Sequence, residues 1–256
     1  MLRKVMVFGL TMAMALLGAA AVAQDGGDLT LQQVIARNME AKGGEEKIRA
    51  IKTVSIEGTM MMGPGMEAPL TWVWMHPDKM RMAFEVQGME GVQAFDGQTA
   101  WMVMPFMGKT EPEEMTAEQT QNLREEADFQ GPLVDYEKKG YQVELLGKED
   151  VEGTEAYKIK VTYGSGSVGY IYLDAEYFLE IKQESKRKIQ GQEIEVVMSV
   201  GDYKEVDGVM VAHSRTIQPK GAPAGQTLTF KTVQFNADVD ESLFSMPQGS
   251  TEEEGE

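Results

Sequence analysis

The chain has 256 residues, of which 41 are acidic and 24 are basic, so its formal net charge is −17. A negative field of this size repels nucleic acid and anionic lipid headgroups, which argues against both as stable partners. The sequence contains no cysteine and only two histidines, so it can form no disulfide and offers few ligands to a transition metal. We therefore expect no cofactor and no metal.

The first 23 residues have the order of features that is typical of a secretory signal peptide. Arg3 and Lys4 form the basic start, a long apolar run follows, and Ala21 and Ala23 form a small-residue cleavage site. Removal of these 23 residues from 256 leaves 233, beginning at Gln24, with 22 basic against 41 acidic residues and a net charge of −19. We expect a periplasmic protein without a stable membrane anchor. The alternative is an uncleaved anchor.

The segment after the signal is predicted to be a helix, and the short helical turn that follows it is predicted to cover one end of a sheet. Thr30 and Gln33 have the spacing of a capping box, and Gly43 with Gly44 ends the helical pattern. Apolar residues recur between these points at helical spacing. A short second helical turn over 45–51 is expected to follow.

From residue 54 onward the apolar period changes to two, which predicts strands. Met80, Met82, Phe84 and Val86 alternate with polar residues and form the clearest case. Further runs of this kind occupy 54–62, 70–75, 100–104, 141–145, 156–163, 168–173, 178–183, 194–200, 209–217 and 227–235. About eleven strands with short connections predict a mainly β domain over 24–249, an antiparallel sheet that curls toward a barrel.

One segment, 109–132, interrupts the strand pattern, because it is acidic and helix-prone. Thr116 and Gln119 form a second capping box, and Leu123 contributes a thin apolar edge. We interpret residues 116–127 as a lid over the sheet; a surface helix that plugs one end of a barrel is the alternative. The acidic tail, 250–256, is predicted to be disordered.

Methionine is concentrated in one part of the chain. Of the 16 methionines after the signal, 12 lie between Met60 and Met115, together with Trp72, Trp74 and Trp101. Flexible, polarizable thioether side chains suit a wall that adapts to apolar ligands. A methionine-rich packed core and copper binding are the alternatives.

No catalytic motif is present, so we expect a protein that is not an enzyme. There is no nucleophile elbow, no zinc-protease helix and no phosphate-binding loop. His213 and Ser214 are adjacent on a predicted strand, so their side chains would point to opposite faces.

Several short segments resemble the LolA-type carriers of lipoproteins. The stretch Phe95-Asp96-Gly97-Gln98-Thr99-Ala100-Trp101, ending at Pro105, resembles the Asp-Gly-Lys-Thr-x-Trp…Pro stretch of these carriers, and Val73-Trp74-Met75-His76-Pro77 resembles their Trp-Val-x-Arg-Pro strand end. Weaker similarities follow in order over most of the chain, among them Tyr172-Leu173-Asp174 and Phe244-Ser245-Met246-Pro247. In the carriers an arginine precedes the proline, whereas here the residue is His76.

The resemblance implies an unclosed antiparallel β-barrel of about eleven strands with short helices as a lid, like LolA, LolB and LppX. It implies a soluble periplasmic carrier that holds acyl chains of lipoproteins or lipids in an apolar cavity and moves them toward the outer membrane. Its partners would be an acylated lipoprotein or lipid, with transport proteins of the inner and outer membranes. A non-catalytic envelope sensor or interaction module on the same fold is the alternative.

On this basis we name two sets of site residues. The expected cavity lining consists of Trp72, Trp74, Met80, Met82, Phe84, Trp101 and Val103. His76 and Leu123 are candidates for the lid or its gating.

Overall fold

The structure is a computed structural model that describes residues 28–63, 65–189 and 192–247. The predicted signal peptide, 1–23, and the predicted acidic tail, 250–256, lie outside these residues. Within the described ranges, no helix combines the length and the apolar character that crossing a membrane requires.

Two short helices precede the sheet, as predicted. Helix α1 (Leu31–Ala41) begins at the capping box of Thr30 and Gln33, and helix α2 (Glu45–Ala50) follows the two glycines. The side-chain amide of the buried Asn38 donates a hydrogen bond to the backbone oxygen of Phe178 at 2.7 Å. This contact holds α1 against the sheet end where Phe178 lies.

The remainder is dominated by one antiparallel sheet of thirteen strands. The strands are β1 (Thr53–Gly63), β2 (Met66–Met75), β3 (Lys79–Val86), β4 (Met89–Phe95), β5 (Ala100–Met104), β6 (Lys109–Glu114), β7 (Gln142–Val151), β8 (Thr154–Thr162), β9 (Val168–Asp174), β10 (Glu180–Ile189), β11 (Gln192–Val206), β12 (Val209–Pro219) and β13 (Gln226–Phe235). Their order is β6-β5-β4-β3-β2-β1-β13-β12-β11-β10-β9-β8-β7, and the sheet does not close. The unclosed antiparallel architecture is therefore confirmed.

The two strands beyond the predicted eleven are β4 and β6. Strand β4 contains Glu90 and Gly91, and β6 is acidic and contains Pro112, so neither has a clean apolar alternation. Strand β6 is the edge of the sheet, where charge and proline are tolerated because one row of backbone groups needs no partner strand. The prediction that 109–132 is a helical segment was consequently wrong at its start; the helix, α3, spans Ala117–Glu126.

The sheet buries apolar side chains on both faces. The main core lies on the face covered by the helices, and Trp72, Trp74 and Phe95 belong to it. A smaller cluster contains Ala83, Val92, Ala94 and Trp101, with Val103 and Met246 against it. This second cluster lies on the opposite face of the sheet. Trp101 pairs with Ala94, whose side chain points to the face opposite to that of its neighbour Phe95.

Candidate ligand-binding cavity

A cavity of about 280 Å³ lies between the main-core face of the sheet and the segment that contains helix α3. Strands β1, β2 and β9–β13 form one wall, and the opposite wall is formed by residues 122–133 together with α1 and α2. Ligand sites for small molecules typically measure about 300–1,000 Å³, so this cavity is near the lower limit of that range.

The apolar part of the wall is centred on two tryptophans of β2. Trp72 and Trp74 are two residues apart on one strand, and their rings stack with centroids 4.3 Å apart. Ile56 of β1, Ile171 of β9 and Val196 of β11 extend this surface along the sheet. Such a surface suits an acyl chain, because each buried methylene contributes roughly 0.8 kcal/mol.

Helix α3 is fastened to the sheet at its C-terminal end. Trp74 Nε1 donates a hydrogen bond to the backbone oxygen of Glu126 at 3.1 Å, which satisfies one of the carbonyls that every helix end leaves free. The Glu126 carboxylate also forms a 2.9 Å salt bridge with Arg187 of β10. Near the N-terminal end, Thr116 and Gln119 form the capping box, and the backbone nitrogen of the adjacent Met115 donates a hydrogen bond to the Ala100 oxygen of β5 at 2.8 Å.

The turns that follow helix α3 also line the cavity opposite the sheet, and residues in them form ion pairs. Asp128 forms a 2.7 Å salt bridge with Lys139 inside this segment. Asp135 lies 2.7 Å from Arg49 of helix α2. Lys138 and Arg49, which donate hydrogen bonds to the Asp135 carboxylate, lower its pKa. The cover is thus tied both to the sheet and to α2.

Charged side chains also line the cavity, at the end where α1 meets the sheet. Burial lowers the pKa of Lys42, and Glu180 and Asp128 oppose this effect. Burial raises the pKa of Glu180, against the attraction of Lys42 and Arg215. Burial likewise raises the pKa of Asp128, and Lys139 opposes it. The wall is therefore amphipathic and not uniformly apolar.

Two donors in this wall have no acceptor. Among the residues that the structure describes, the only buried side-chain nitrogen or oxygen atoms without a hydrogen-bond partner are Trp72 Nε1 and Arg215 Nε. The Arg215 guanidinium lies 5.6 Å from the Trp72 ring centroid and 5.5 Å from that of Phe230. Both unpaired donors thus belong to one part of the cavity.

No family model matches the chain, and neither does any curated protein. Solved structures do match. A LolA superfamily protein from Nitrosomonas europaea superposes with a TM-score of 0.55 at 12% identity, over 85% of this chain and 98% of that one. A domain described as an outer membrane lipoprotein-sorting protein, from Vibrio parahaemolyticus, gives 0.53 at 12% identity, over 82% and 94%. The chain has a LolA-like fold.

A third structure, a DUF1329 family protein from Desulfovibrio piger, superposes with a TM-score of 0.58 at 12% identity, over 84% of this chain and 96% of that one. None of the three is described as an enzyme, and no enzyme family is indicated.

The LolA-like fold places the predicted lining residues in three different environments. Trp72 and Trp74 line the cavity. Met80 and Met82 are buried in the same core beside it, and Phe84 packs on Phe106 with ring centroids 5.7 Å apart. Met80, Met82 and Phe84 lie on the cavity face of the sheet, although they are not in contact with the cavity itself.

Trp101 and Val103 require a correction, because their side chains point away from the cavity. Both lie on β5 and pair with Ala94 and Val92, which belong to the opposite face of the sheet. Trp101 Nε1 donates a hydrogen bond to the backbone oxygen of Phe244 at 2.8 Å. In this LolA-like fold, Trp101 therefore holds the C-terminal segment to the outside of the sheet.

The two lid candidates, Leu123 and His76, lie in different parts of the structure. Leu123 is buried on helix α3 and packs into the main core. His76 is exposed in the turn between β2 and β3 and is not a residue of the cavity wall. The methionines divide as well: Met60, Met80 and Met82 are core residues, whereas Met61, Met66 and Met107 are exposed.

Lys42, Glu180 and Arg215 were not predicted as site residues. They come from three distant parts of the chain, and each is flanked by residues that give no motif. The sequence contained one indication of the site, the charged Arg215 in the predicted strand 209–217. It did not identify the site, because a charged side chain on a strand is expected to face solvent.

Proposed function

We propose that this protein is a soluble periplasmic carrier that binds acyl chains of lipoproteins or lipids and moves them toward the outer membrane. The observation that carries the proposal is the cavity on the main-core face of an unclosed sheet, with stacked Trp72 and Trp74 in its wall and helix α3 across it. The LolA-like fold supports the same function. The sequence features of residues 1–23 support export to the periplasm.

An acylated lipoprotein or lipid is the proposed cargo, with membrane transport proteins as donor and acceptor. An acyl chain cannot cross water at low free-energy cost unless an apolar surface shields its methylenes. A cavity of about 280 Å³ is suited to one chain better than to several. No covalent step is part of the proposed function.

The proposal can be tested on protein purified from its own envelope. Organic extraction and mass spectrometry are expected to recover acylated cargo, and the extracted protein is expected to take up a fluorescent fatty acid at micromolar concentration. Absence of both results would contradict the carrier function and favour the interaction module.

Substitution of two neighbouring residues on β11 tests where the acyl chain binds. Met198 lines the cavity and Val197 points to the other face of the same strand. Met198→Gln is expected to weaken uptake about tenfold, because an amide that replaces an apolar side chain in the wall must be desolvated. Val197→Gln is the matched control and should bind as the unaltered protein does. Equal uptake by both variants would place the acyl chain elsewhere.

A further inference from the structure

The cavity contains a polar subsite formed by residues of opposite halves of the sheet. Trp72 lies on β2 and Arg215 on β12, and β1 and β13 separate these strands. Both side chains reach across the main-core face, since the guanidinium lies 5.6 Å from the indole ring. Trp72 is 3% exposed, so its indole nitrogen is shielded from bulk water.

Both unpaired atoms of this subsite are hydrogen-bond donors. Indole and guanidinium nitrogens donate and cannot accept, and a guanidinium stays protonated in proteins. A buried donor without an acceptor costs about 1–3 kcal/mol. A ligand that satisfies both atoms must therefore present oxygen acceptors, and a negative charge on those oxygens complements the cation.

Arg215 supplies the positive charge of this subsite. Arg215 forms no salt bridge within the described residues, although Glu180 attracts it electrostatically. Lys42 is a second basic residue of the same wall; its Nζ donates to the backbone oxygen of Gln130 at 3.4 Å, and burial lowers its pKa.

An apolar surface adjoins the two donors directly. The Trp72 ring stacks on Trp74, and Phe230 lies edge-on to Trp72 with centroids 6.3 Å apart. A ligand that uses the whole cavity must therefore be an amphiphile, with one acyl chain on the tryptophans and its head group at Arg215.

We propose that the cavity binds a single-chain acyl amphiphile with its anionic oxygen head group directed inward, onto Arg215 and Trp72 Nε1. This inference rests on the proposed function, because it assigns the chemistry of the ligand to the same cavity. Carboxylate and phosphate share the required chemistry; both accept paired hydrogen bonds from a guanidinium. The subsite selects acids over neutral compounds of the same chain length.

The test uses the full exported protein and three ligands of one chain length: palmitate, hexadecyl phosphate and hexadecanol. Each is titrated against a bound neutral dye, N-phenyl-1-naphthylamine, whose displacement reports occupancy of the cavity. We expect at least one of the two acids to bind ten times more tightly than hexadecanol. The stronger of the two identifies the head group as carboxylate or phosphate.

Two variants assign the selectivity to the subsite. Arg215→Met is expected to lower the ratio of the preferred acid's affinity to that of hexadecanol at least tenfold. Trp72→Phe keeps an aromatic ring and removes the donor, so the ratio of the acid's affinity to that of hexadecanol is expected to fall by a smaller factor, about threefold. Lys182→Met, on the opposite face of β10, is the control and should change neither affinity.

The outcomes separate the two proposals. Equal binding of palmitate, hexadecyl phosphate and hexadecanol would overturn the subsite and leave the carrier function standing. Binding of none of them, and no cargo from the envelope, would overturn both. If Arg215→Met does not fold, as dye binding would reveal, the selectivity of the unaltered protein and of Trp72→Phe decides the question.

Discussion

Trp72, Trp74 and Trp101 are equally buried, but they make different contacts. Trp72 and Trp74 face the cavity from β2, and the indole nitrogen of Trp74 holds the end of helix α3. Trp101 faces the other side of the sheet and holds the C-terminal segment through Phe244. At this scale the face of the strand, and not the type of residue, decides whether an aromatic side chain can touch a ligand.

Replacement of Trp101 therefore tests stability without affecting the cavity. We expect Trp101→Phe to lower the free energy of unfolding by about 1–3 kcal/mol, because it leaves the backbone oxygen of Phe244 without its donor. Urea denaturation measures this loss. Uptake of a fluorescent fatty acid should remain unchanged, and a large decrease in uptake without loss of stability would contradict the assignment.

At the scale of elements, helix α3 is joined to the sheet near both of its ends. The C-terminal end is bound through Trp74 and through the salt bridge between Glu126 and Arg187. The N-terminal end has the capping box of Thr116 and Gln119 and, beside it, the backbone hydrogen bond from Met115 to Ala100 of β5. A movement that opens the cavity would therefore require the contacts of Glu126 to break.

The salt bridge between Arg187 and Glu126 provides a test of this attachment. Arg187→Gln is expected to increase amide hydrogen exchange in α3 about fivefold, which corresponds to roughly 1 kcal/mol of lost local stability. Lys182→Gln is the matched control, because it breaks the 2.6 Å pair with Glu184 on the opposite face of the same strand. Equal exchange in the two variants would show that Arg187 does not hold the helix.

At the scale of the whole molecule, the chain is strongly acidic, and several of its charged side chains line the cavity on the main-core face of the sheet. The net charge of −17 favours solubility, whereas Lys42, Glu180 and Arg215 in the cavity wall reduce stability by their desolvation. Ordinary folding would place such side chains on the surface. Their position is most easily explained by a polar ligand group, as proposed above.

The pH dependence of stability follows from Glu180. Because burial raises its pKa, the folded protein binds its proton more tightly than the unfolded chain does. The stabilisation is fully present below the ordinary carboxyl pKa and is lost as the pH rises through the raised one. We expect the free energy of unfolding to decrease as the pH rises above the ordinary carboxyl range.

Glu180→Gln should make this decrease smaller, since the amide does not titrate. Urea denaturation at several pH values measures the slope, and Glu205→Gln, which changes an exposed residue of β11, is the control. An unchanged slope in Glu180→Gln would assign the pH dependence to other groups, of which Asp128 is the first, because burial raises its pKa as well.

The sequence by itself determined the class of fold and the location of most elements. Alternation such as that of Met80, Met82 and Phe84 identifies a strand because strand side chains alternate between two faces. The capping boxes at Thr30 and Thr116 mark helix starts because their hydrogen bonds join residues only three apart. Strand β6 escaped prediction because an edge strand does not need an apolar pattern.

The tertiary structure alone decided which residues form the cavity. Alternation shows that Trp101 shares a face with Val103, but it does not tell which face is the inner one; pairing with Ala94 settles that. Lys42 and Arg215 meet at the cavity although 172 positions separate them in the sequence. Local patterns arise from contacts between near neighbours, whereas a binding site depends on sheet register, which brings distant residues together.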